Sequence, residues 1–267
     1  MSDDVIKLSS PATKEFWEIP ILFEDEHLLA ISKPDHLLTA PENSDLDRPD
    51  LMKLLHHDIE RGAAWAKKRS LTYLMNAHRL DFETSGVLLL AKTKPVHVTL
   101  ADQFGSNQPK RIYIALVRGN IPGEEFFSDA SINPHPVELG VMRVDQREGK
   151  KSRTDFIVRE RFVNCTLLEC RPHTDRTHQI RVHLRHIKLP LVGDALYGGP
   201  PLLLSTLKSV YRLKPGHEER PLIDRAALHA EQLILPHPIT GAELKIEAPL
   251  PKDLSVALKY LRRYSAV

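Results

Sequence analysis

The stretch with the most chemistry in it is His78-Arg79-Leu80-Asp81-Phe82-Glu83-Thr84-Ser85-Gly86, which runs directly into the apolar segment 87–91. Asp81 lies in an aperiodic loop at the mouth of a predicted buried strand, where a rigid scaffold can present a reactive group. A carboxylate there could act as nucleophile, general acid or metal ligand. Thr84-Ser85-Gly86 adds two hydroxyls and a backbone free to turn tightly. The bland alternative is that Asp81 and Thr84 only cap that turn, the commoner case for an isolated Asp. A second constellation is Arg176-Thr177-His178-Gln179-Ile180-Arg181-Val182-His183, with Arg185 and His186 beyond it. Arginine makes planar, bidentate contacts with carboxylate and phosphate, so this segment could hold a phosphate backbone and also pair with a catalytic acid. His183 and His186, three apart, invite a metal reading. Three neighbouring arginines would repel a cation, however, and no Glu lies in phase, so no metal site is expected. Taken alone, the segment would read as a solvated basic helix face.

Charge distribution supports an anionic partner. The 267 residues hold 37 Lys+Arg against 35 Asp+Glu, but residues 1–60 carry 5 against 14, leaving 32 against 21 for the rest. Within the basic part, 171–188 has Arg171, Arg176, Arg181, Arg185 and Lys188 against Asp175 alone, and Lys67-Lys68-Arg69 forms a second cluster. Such a surface suits a polyanion, although composition does not separate nucleic acid from a nucleotide or an acidic protein. With 42% hydrophobic residues the chain can build one large domain or two modest ones. Apolar runs such as 87–91 and 202–204 fall far short of the ~20 residues of a membrane helix, so no span is expected. Cys165 and Cys170 are the only cysteines and lie five apart in a strand-like run, on opposite faces, which excludes a disulfide scaffold and favours a reducing compartment. Met1-Ser2-Asp3-Asp4 begins neither a signal nor a transit peptide, so a cytoplasmic location is expected.

The elements that must position these residues follow from periodicity. Residues 1–18 are polar and unpatterned, an expected arm. Segments 19–23 and 27–32 read as strands joined by an acidic turn, 33–49 as a loop with three prolines and four acids, and about 50–61 as a helix. Segment 87–91 is a buried strand, followed by a helix from Thr93 to Phe104. A strand over 111–117 puts Ile112, Ile114 and Leu116 on one face and Tyr113, Ala115 and Val117 on the other. Segments 154–160 and 165–171 form a hairpin, and 177–187 a helix with Ile180, Leu184 and Ile187 on its apolar side. His178, Arg181 and Arg185 occupy an adjoining face of that helix. Residues 199–224 look like an inserted excursion with a short helix near 202–211. Strands resume at 228–235 and 244–248, and 254–264 closes the chain as a helix. The pattern is α+β with strands dominant.

Together these segments resemble the RluA-type pseudouridine synthases. His78-Arg79-Leu80-Asp81 with Thr84-Ser85-Gly86 matches that family's signature loop, and other segments match in order. These are 21–41 with Lys33-Pro34 and Leu37-Leu38, 110–119 with Tyr113, Ala115 and Gly119, 176–183, and Gly193-Asp194 with Tyr197-Gly198. Leu228-His229-Ala230, His237-Pro238, Thr240-Gly241 and Ala248-Pro249-Leu250-Pro251 extend the match, which covers about residues 20–255. The resemblance implies a pseudouridine synthase fold: a long, mixed, mostly antiparallel sheet in two halves, with helices and loops flanking a central catalytic cleft. It implies one catalytic domain over 19–267 with 199–224 as an insertion. It also implies an enzyme that isomerises uridine to pseudouridine in structured RNA, rRNA or tRNA, with no metal and no organic cofactor.

Carried onto this sequence, the resemblance makes Asp81 the catalytic carboxylate, acting on the ribose or adding to the base. Tyr113 matches the tyrosine that stacks on the target base and is suited to removing the C5 proton. Arg181 matches the basic residue that pairs with the catalytic Asp, holding it ionised where burial would neutralise it. Because the target nucleotide must be flipped out of a stack, basic surface is required around it. Arg79, Thr84, Lys110, Arg176 and His178 are the candidate RNA contacts, with internal salt bridges to Glu83 and Asp175 as the alternative roles of Arg79 and Arg176. The partner expected is RNA, with no membrane, no obligate protein partner and a monomeric chain.

Two departures from the family pattern bear on turn geometry. His36 stands where Gly usually follows Lys-Pro-X, and Asp175 where Gly commonly precedes the Arg-Thr-His-Gln run. Both are less suited than Gly to the left-handed conformation. Only about 20 residues precede the first matched strand, so no S4-type module is expected and target choice falls to the catalytic domain, with 35–60 and 199–224 as candidates. Two rival classes are an RNA-binding protein without catalysis and a metal-dependent hydrolase using the His-rich helix. An intact Asp81, Tyr113 and Arg181 argues against the first, and activity in excess EDTA would eliminate the second.

Overall fold

The structure is a computed structural model that describes residues 5–11, 13–41, 48–208, 210–213 and 216–267. The chain divides into two compact units, 1–111 with 230–249 and 112–229 with 250–267. Chain order thus runs through the first unit, into the second, back and out again.

The first unit contains β1 (Val5–Ser9), β2 (Phe16–Glu24), β3 (Leu28–Lys33), α1 (Leu51–Glu60), α2 (Ala64–Lys68), β4 (Met75–Asn76), β5 (Ser85–Ala91) and α3 (Lys94–Gly105). Its sheet runs β1-β2-β3-β5, with β1–β2, β2–β3 and β3–β5 antiparallel and β4 pairing with β5. β5 is buried along its whole length because both faces are covered, which explains its continuous apolar run. Leu88 and Leu90 point into a core with Leu51 and Leu55 of α1, while Val87, Leu89 and Ala91 meet Val96, Leu100 and Phe104 of α3. Each buried leucine contributes roughly 1.5–3 kcal/mol, so this strand is anchored far more strongly than a half-exposed one. Asp50 caps α1, its side chain accepting from Lys53 N.

The arm expected over 1–18 is structured where it is described. β1 pairs with β2, and Ile6 and Leu8 alternate into the core of α1. Two inward residues in five were too few to stand out among polar neighbours. The acidic segment 42–47 of the expected loop and the opening Met1–Asp4 motif lie outside the described residues.

The second unit takes most of β6 (Lys110–Arg118), then β7 (Glu125–Ser128), β8 (Ile132–Pro134), β9 (Met142–Val144), β10 (Thr154–Arg161), β11 (Cys165–Pro172), α4 (Gln179–His186) and α5 (Leu204–Leu207). β12 (Leu228–Pro236) crosses back into the first unit, where β13 (Glu243–Glu247) pairs with it, and α6 (Lys252–Tyr264) closes the second. The second unit's sheet runs β6-β11-β10-β7, all antiparallel, with β8–β9 a separate hairpin. β6 alternates as its sequence predicts. Ile114 and Leu116 share a core with Leu254, Ala257, Leu258 and Leu261 of α6, while Tyr113, Ala115 and Val117 pack with Ile180 and Leu184 of α4. Cys165 and Cys170 fall in these two opposite cores as free thiols. Both units are α+β. Among the described residues of the segment 199–224, only Leu204–Leu207 is helical, and Leu202 and Ile223 are buried against α6.

Candidate active site

The loop carrying Asp81 is fixed from four directions within the first unit. Thr39, almost fully buried, clamps Leu80 reciprocally: its Oγ1 donates to Leu80 O at 2.9 Å and accepts from Leu80 N at 3.1 Å. Two backbone groups beside Asp81 are thereby satisfied where no sheet or helix does so. Thr84 N donates to Asp81 O at 3.1 Å, closing the turn between them. Lys33, with its side chain wholly buried, donates to Pro34 O at 2.7 Å and Leu37 O at 2.6 Å and reaches Phe82 O at 3.5 Å. The Lys-Pro loop and the Asp81 loop therefore share one ammonium.

Beside Thr39 and Lys33, His78 provides the third anchor and Gly86 the fourth. Its ring stacks on Phe104 at 4.8 Å, and Leu89 N donates to its Nε2 at 3.1 Å. A backbone N–H can only donate, so Nε2 carries no proton and the ring is neutral. Burial, reinforced by the charge of Arg111 and opposed by a backbone bond at Arg79, pushes His78 down to about 3. Gly86 completes the loop with φ +119°, and a Cβ there would fall 2.2 Å from Ala230 O. The backbone of β12 passes too close for any side chain.

Asp81 is half-buried, Arg79 is exposed, and Thr84 is buried with an Oγ1 that has no hydrogen-bond partner among the described residues. Lys110 is exposed and lines a shallow depression with Gln108, Leu235 and Glu243. His36 takes the left-handed conformation, φ +53°, at the position where a glycine was expected. Its ring meets Phe82 edge-on at 5.4 Å, and the Arg48 guanidinium lies 4.5 Å from the same ring. A side chain that packs is thus gained in exchange for backbone strain.

In the second unit, Tyr113 lies half-buried on the face of β6 that α4 covers. Helix α4 begins at Gln179, two residues later than the sequence predicted, because His178 takes φ +54° and breaks the helical run. The left-handed residue is therefore His178, and Asp175 is not among those with positive φ. Arg181 is not on a solvated face, as its spacing with His178 and Arg185 suggested. It is buried, and its guanidinium forms a bidentate pair with the buried Asp194, Nε to Oδ2 at 2.8 Å and Nη2 to Oδ1 at 2.7 Å. Asp194 Oδ1 also accepts from Tyr197 N at 3.2 Å, and the Arg181 guanidinium lies 5.0 Å from the Tyr197 ring. Tyr197 Oη accepts from Met142 N at 3.0 Å and shares a hydrogen bond of 2.8 Å with His178 Nδ1.

Asp194 and Tyr197 are the positioning residues that sequence reasoning left without a role. The signal was Gly193-Asp194-Ala195-Leu196-Tyr197-Gly198, an acid and an aromatic three apart between two glycines, and the structure makes it a 3-10 turn at Ala195–Tyr197. Arg176 is half-buried and donates to Lys151 O at 3.3 Å. His183 is fully buried and neutral: Nε2 lies 2.9 Å from Ala130 O and must donate to it, so Nδ1 accepts from Thr154 Oγ1 at 3.0 Å. Burial is the first cause of its lowered pKa. Both ring nitrogens are committed inside the protein, so this histidine is part of the core. Among the described residues, no three His, Cys, Asp or Glu side chains are grouped to hold a metal ion, and no helix is long and apolar enough to cross a membrane.

Residues 27–186 match the model of the family described as RNA pseudouridylate synthase. The chain belongs to the RNA pseudouridylate synthase family. Members of this family are isomerases of RNA uridine, the enzyme class expected from the sequence. A "Ribosomal large subunit pseudouridine synthase D" of Nitrosomonas europaea is 40% identical over 91% of this chain and 65% of its own length. One from Xanthomonas campestris is 36% identical over 98% of this chain and 75% of its length, and one from Escherichia coli 33% identical over 96% and 75%. The chain thus spans about two thirds to three quarters of the length of these relatives. Among solved structures, human RNA pseudouridylate synthase domain containing 4 shares the fold with a TM-score of 0.67, at 24% identity, over 91% of this chain and 92% of that one.

Proposed function

We propose that this chain isomerises uridine to pseudouridine in large-subunit ribosomal RNA, with Asp81 as the catalytic carboxylate. The reaction breaks the N1–C1′ bond, turns the base and joins C5 to C1′. The proton lost from C5 is matched by one gained at N1, so no oxidant, metal or cofactor is called for. In this reading Asp81 acts at the ribose or the base, Tyr113 stacks on the uracil and takes the C5 proton, and Arg181 keeps Asp81 ionised. Arg79, Thr84, Lys110, Arg176 and His178 meet the flipped nucleotide and its flanking phosphates.

The observation that carries this proposal is the fourfold fixing of the Asp81 loop by Thr39, Lys33, His78 and the close approach at Gly86. A turn that needed only a cap would not require it, whereas a catalytic group must be held within a fraction of an ångström. The ribosomal target is supported by the names of the relatives, the cytoplasmic location by buried free thiols, and the monomeric state, with no obligate protein partner, by the sequence reading alone. The test is purified protein on a large-subunit rRNA transcript in excess EDTA, followed by position mapping of pseudouridine. One or a few modified sites are expected. A transcript left unmodified, with the protein folded, would overturn the proposal, and modification abolished by EDTA would restore a metal mechanism.

A further inference from the structure

We infer that the outer face of α6 is a second RNA-contact surface that takes a single-stranded segment of the substrate RNA. This rests on the proposed function for the identity of the polyanion. The helix turns Leu254, Ala257, Leu258 and Leu261 into the core. At 3.6 residues per turn, the line opposite that stripe is Lys252, Val256, Lys259 and Arg263. The three cations are exposed and spread over about 16 Å of helix. Beside them Tyr260 and Tyr264, both half-buried, stack with centroids 6.2 Å apart and planes within 12°. Two cations converge on the Tyr264 ring, Arg263 at 5.4 Å and Lys208 at 6.0 Å.

None of these positive charges is balanced. Among the described residues, Lys208, Lys252, Lys259 and Arg263 form no ion pair, while Asp253, the helix's own acid, is held by Arg225, and Glu160 is taken by Arg262. Two cations drawn to one ring repel each other, and a phosphate is the missing counter-charge. A solvated basic face would need neither the paired rings nor that convergence. Aromatic rings with cations alongside suit bases that are free to stack, which selects single-stranded over duplex RNA.

The other arginine-rich surface of this unit does not compete. Around a hollow of about 420 Å³, Arg153 sits over Phe127, but Asp155 pairs with Arg153, and Glu169 is shared by Arg159 and Arg171, so each of these arginines already faces an acid. Since α6 packs on the Ile114 and Leu116 face of β6 and Tyr113 points to the other, the surface is separate from the residues that the proposed chemistry uses in this unit.

The test measures binding of the full chain to a ten-nucleotide oligouridylate across a salt series. Lys259→Gln with Arg263→Gln should weaken binding about tenfold at 0.1 M salt and reduce the slope of log K against log salt by about 1.4, two contacts at roughly 0.7 each. Tyr264→Leu should weaken binding about fivefold with the slope unchanged, as expected for lost stacking. Should the double variant not fold, Lys252→Gln alone should lower the slope by about 0.7. Wild-type slope and affinity in the folded variants would overturn the surface. So would loss of binding only to phosphatidylserine vesicles or polyglutamate. If the variants lose RNA affinity but the wild type isomerises no RNA, the surface stands and the proposed activity falls; if the wild type isomerises RNA and the slopes agree, the reverse holds.

Discussion

The Asp81 loop and helix α4 carry the two ends of the proposed catalytic apparatus, and they are held by different physics. The loop is fixed by groups that are neutral or act through backbone: the Thr39 hydroxyl on Leu80, the neutral His78 ring on Leu89, and the absence of a side chain at Gly86. Lys33 is a charged anchor of the loop, and it acts on carbonyls. The helix instead depends on a buried charge pair, Arg181 with Asp194, and on a neutral network from Gln179 through Thr154 and His183 to Ala130. The loop that presents the carboxylate is shaped mainly through backbone contacts. An arginine that must remain fixed is tied by an acid of its own.

This contrast can be broken by mutation. The largest effect should come from Gly86→Ala, where the added carbon would meet Ala230 O at 2.2 Å under a φ of +119°. Because neither backbone can retreat, the expected outcome is no folded protein, read by circular dichroism and soluble yield. Next is Asp194→Ala, which removes the buried bidentate partner of Arg181 and should cost about 3–5 kcal/mol in denaturant unfolding. Asp194→Asn, keeping the shape, should lose less stability but still lose activity. Thr39→Val leaves two backbone groups of Leu80 unsatisfied in nearly the same volume. A loss of about 2–3 kcal/mol is expected, together with a slower reaction at unchanged RNA affinity.

The smallest effect is a pH dependence located in the loop. His78 is pushed down to about 3 in the folded protein from the ordinary 6.5 of an exposed imidazole, so between these limits the unfolded chain binds more protons. Its contribution is fully present above pH 6.5 and declines as pH falls towards 3. Acidification from pH 7.5 to 5.5 should remove roughly 1.4 kcal/mol through this group. Urea unfolding of the wild type beside His78→Gln would isolate that share, since His183, also lowered by burial, remains in both. An identical pH slope in the two proteins would contradict the neutral, buried ring.

Much of this architecture was legible in the sequence because it is periodic. The alternation of 111–117, the buried run at 87–91 and the apolar stripe of 254–264 each reappear as the strand or helix expected. The family resemblance, rather than periodicity, singled out Asp81, Tyr113 and Arg181 for the roles proposed above. What escaped was non-local. The partners of the loop lie at Lys33, Thr39, Leu89 and Ala230, separated from it by up to 150 residues of chain, and no local pattern links a threonine to the carbonyl it will clamp. Short strands escaped for the opposite reason: β1, β8 and β9 have three to five residues each, too few for a period of two to rise above chance. Burial of Arg181 and His183 was hidden as well, since a charged or polar residue on a helix reads as exposed until its partner is found.

The central claim is that Asp81 does chemistry in a loop whose shape does not depend on its charge. It is tested most directly by single-turnover isomerisation of a large-subunit rRNA transcript by the wild type and by Asp81→Asn, with RNA affinity and unfolding free energy measured on the same preparations. The expected result is a rate lowered at least a thousandfold, on the order of 4 kcal/mol in the barrier, with affinity and stability close to wild type. An Asp81→Asn protein that still forms pseudouridine at a comparable rate would contradict it.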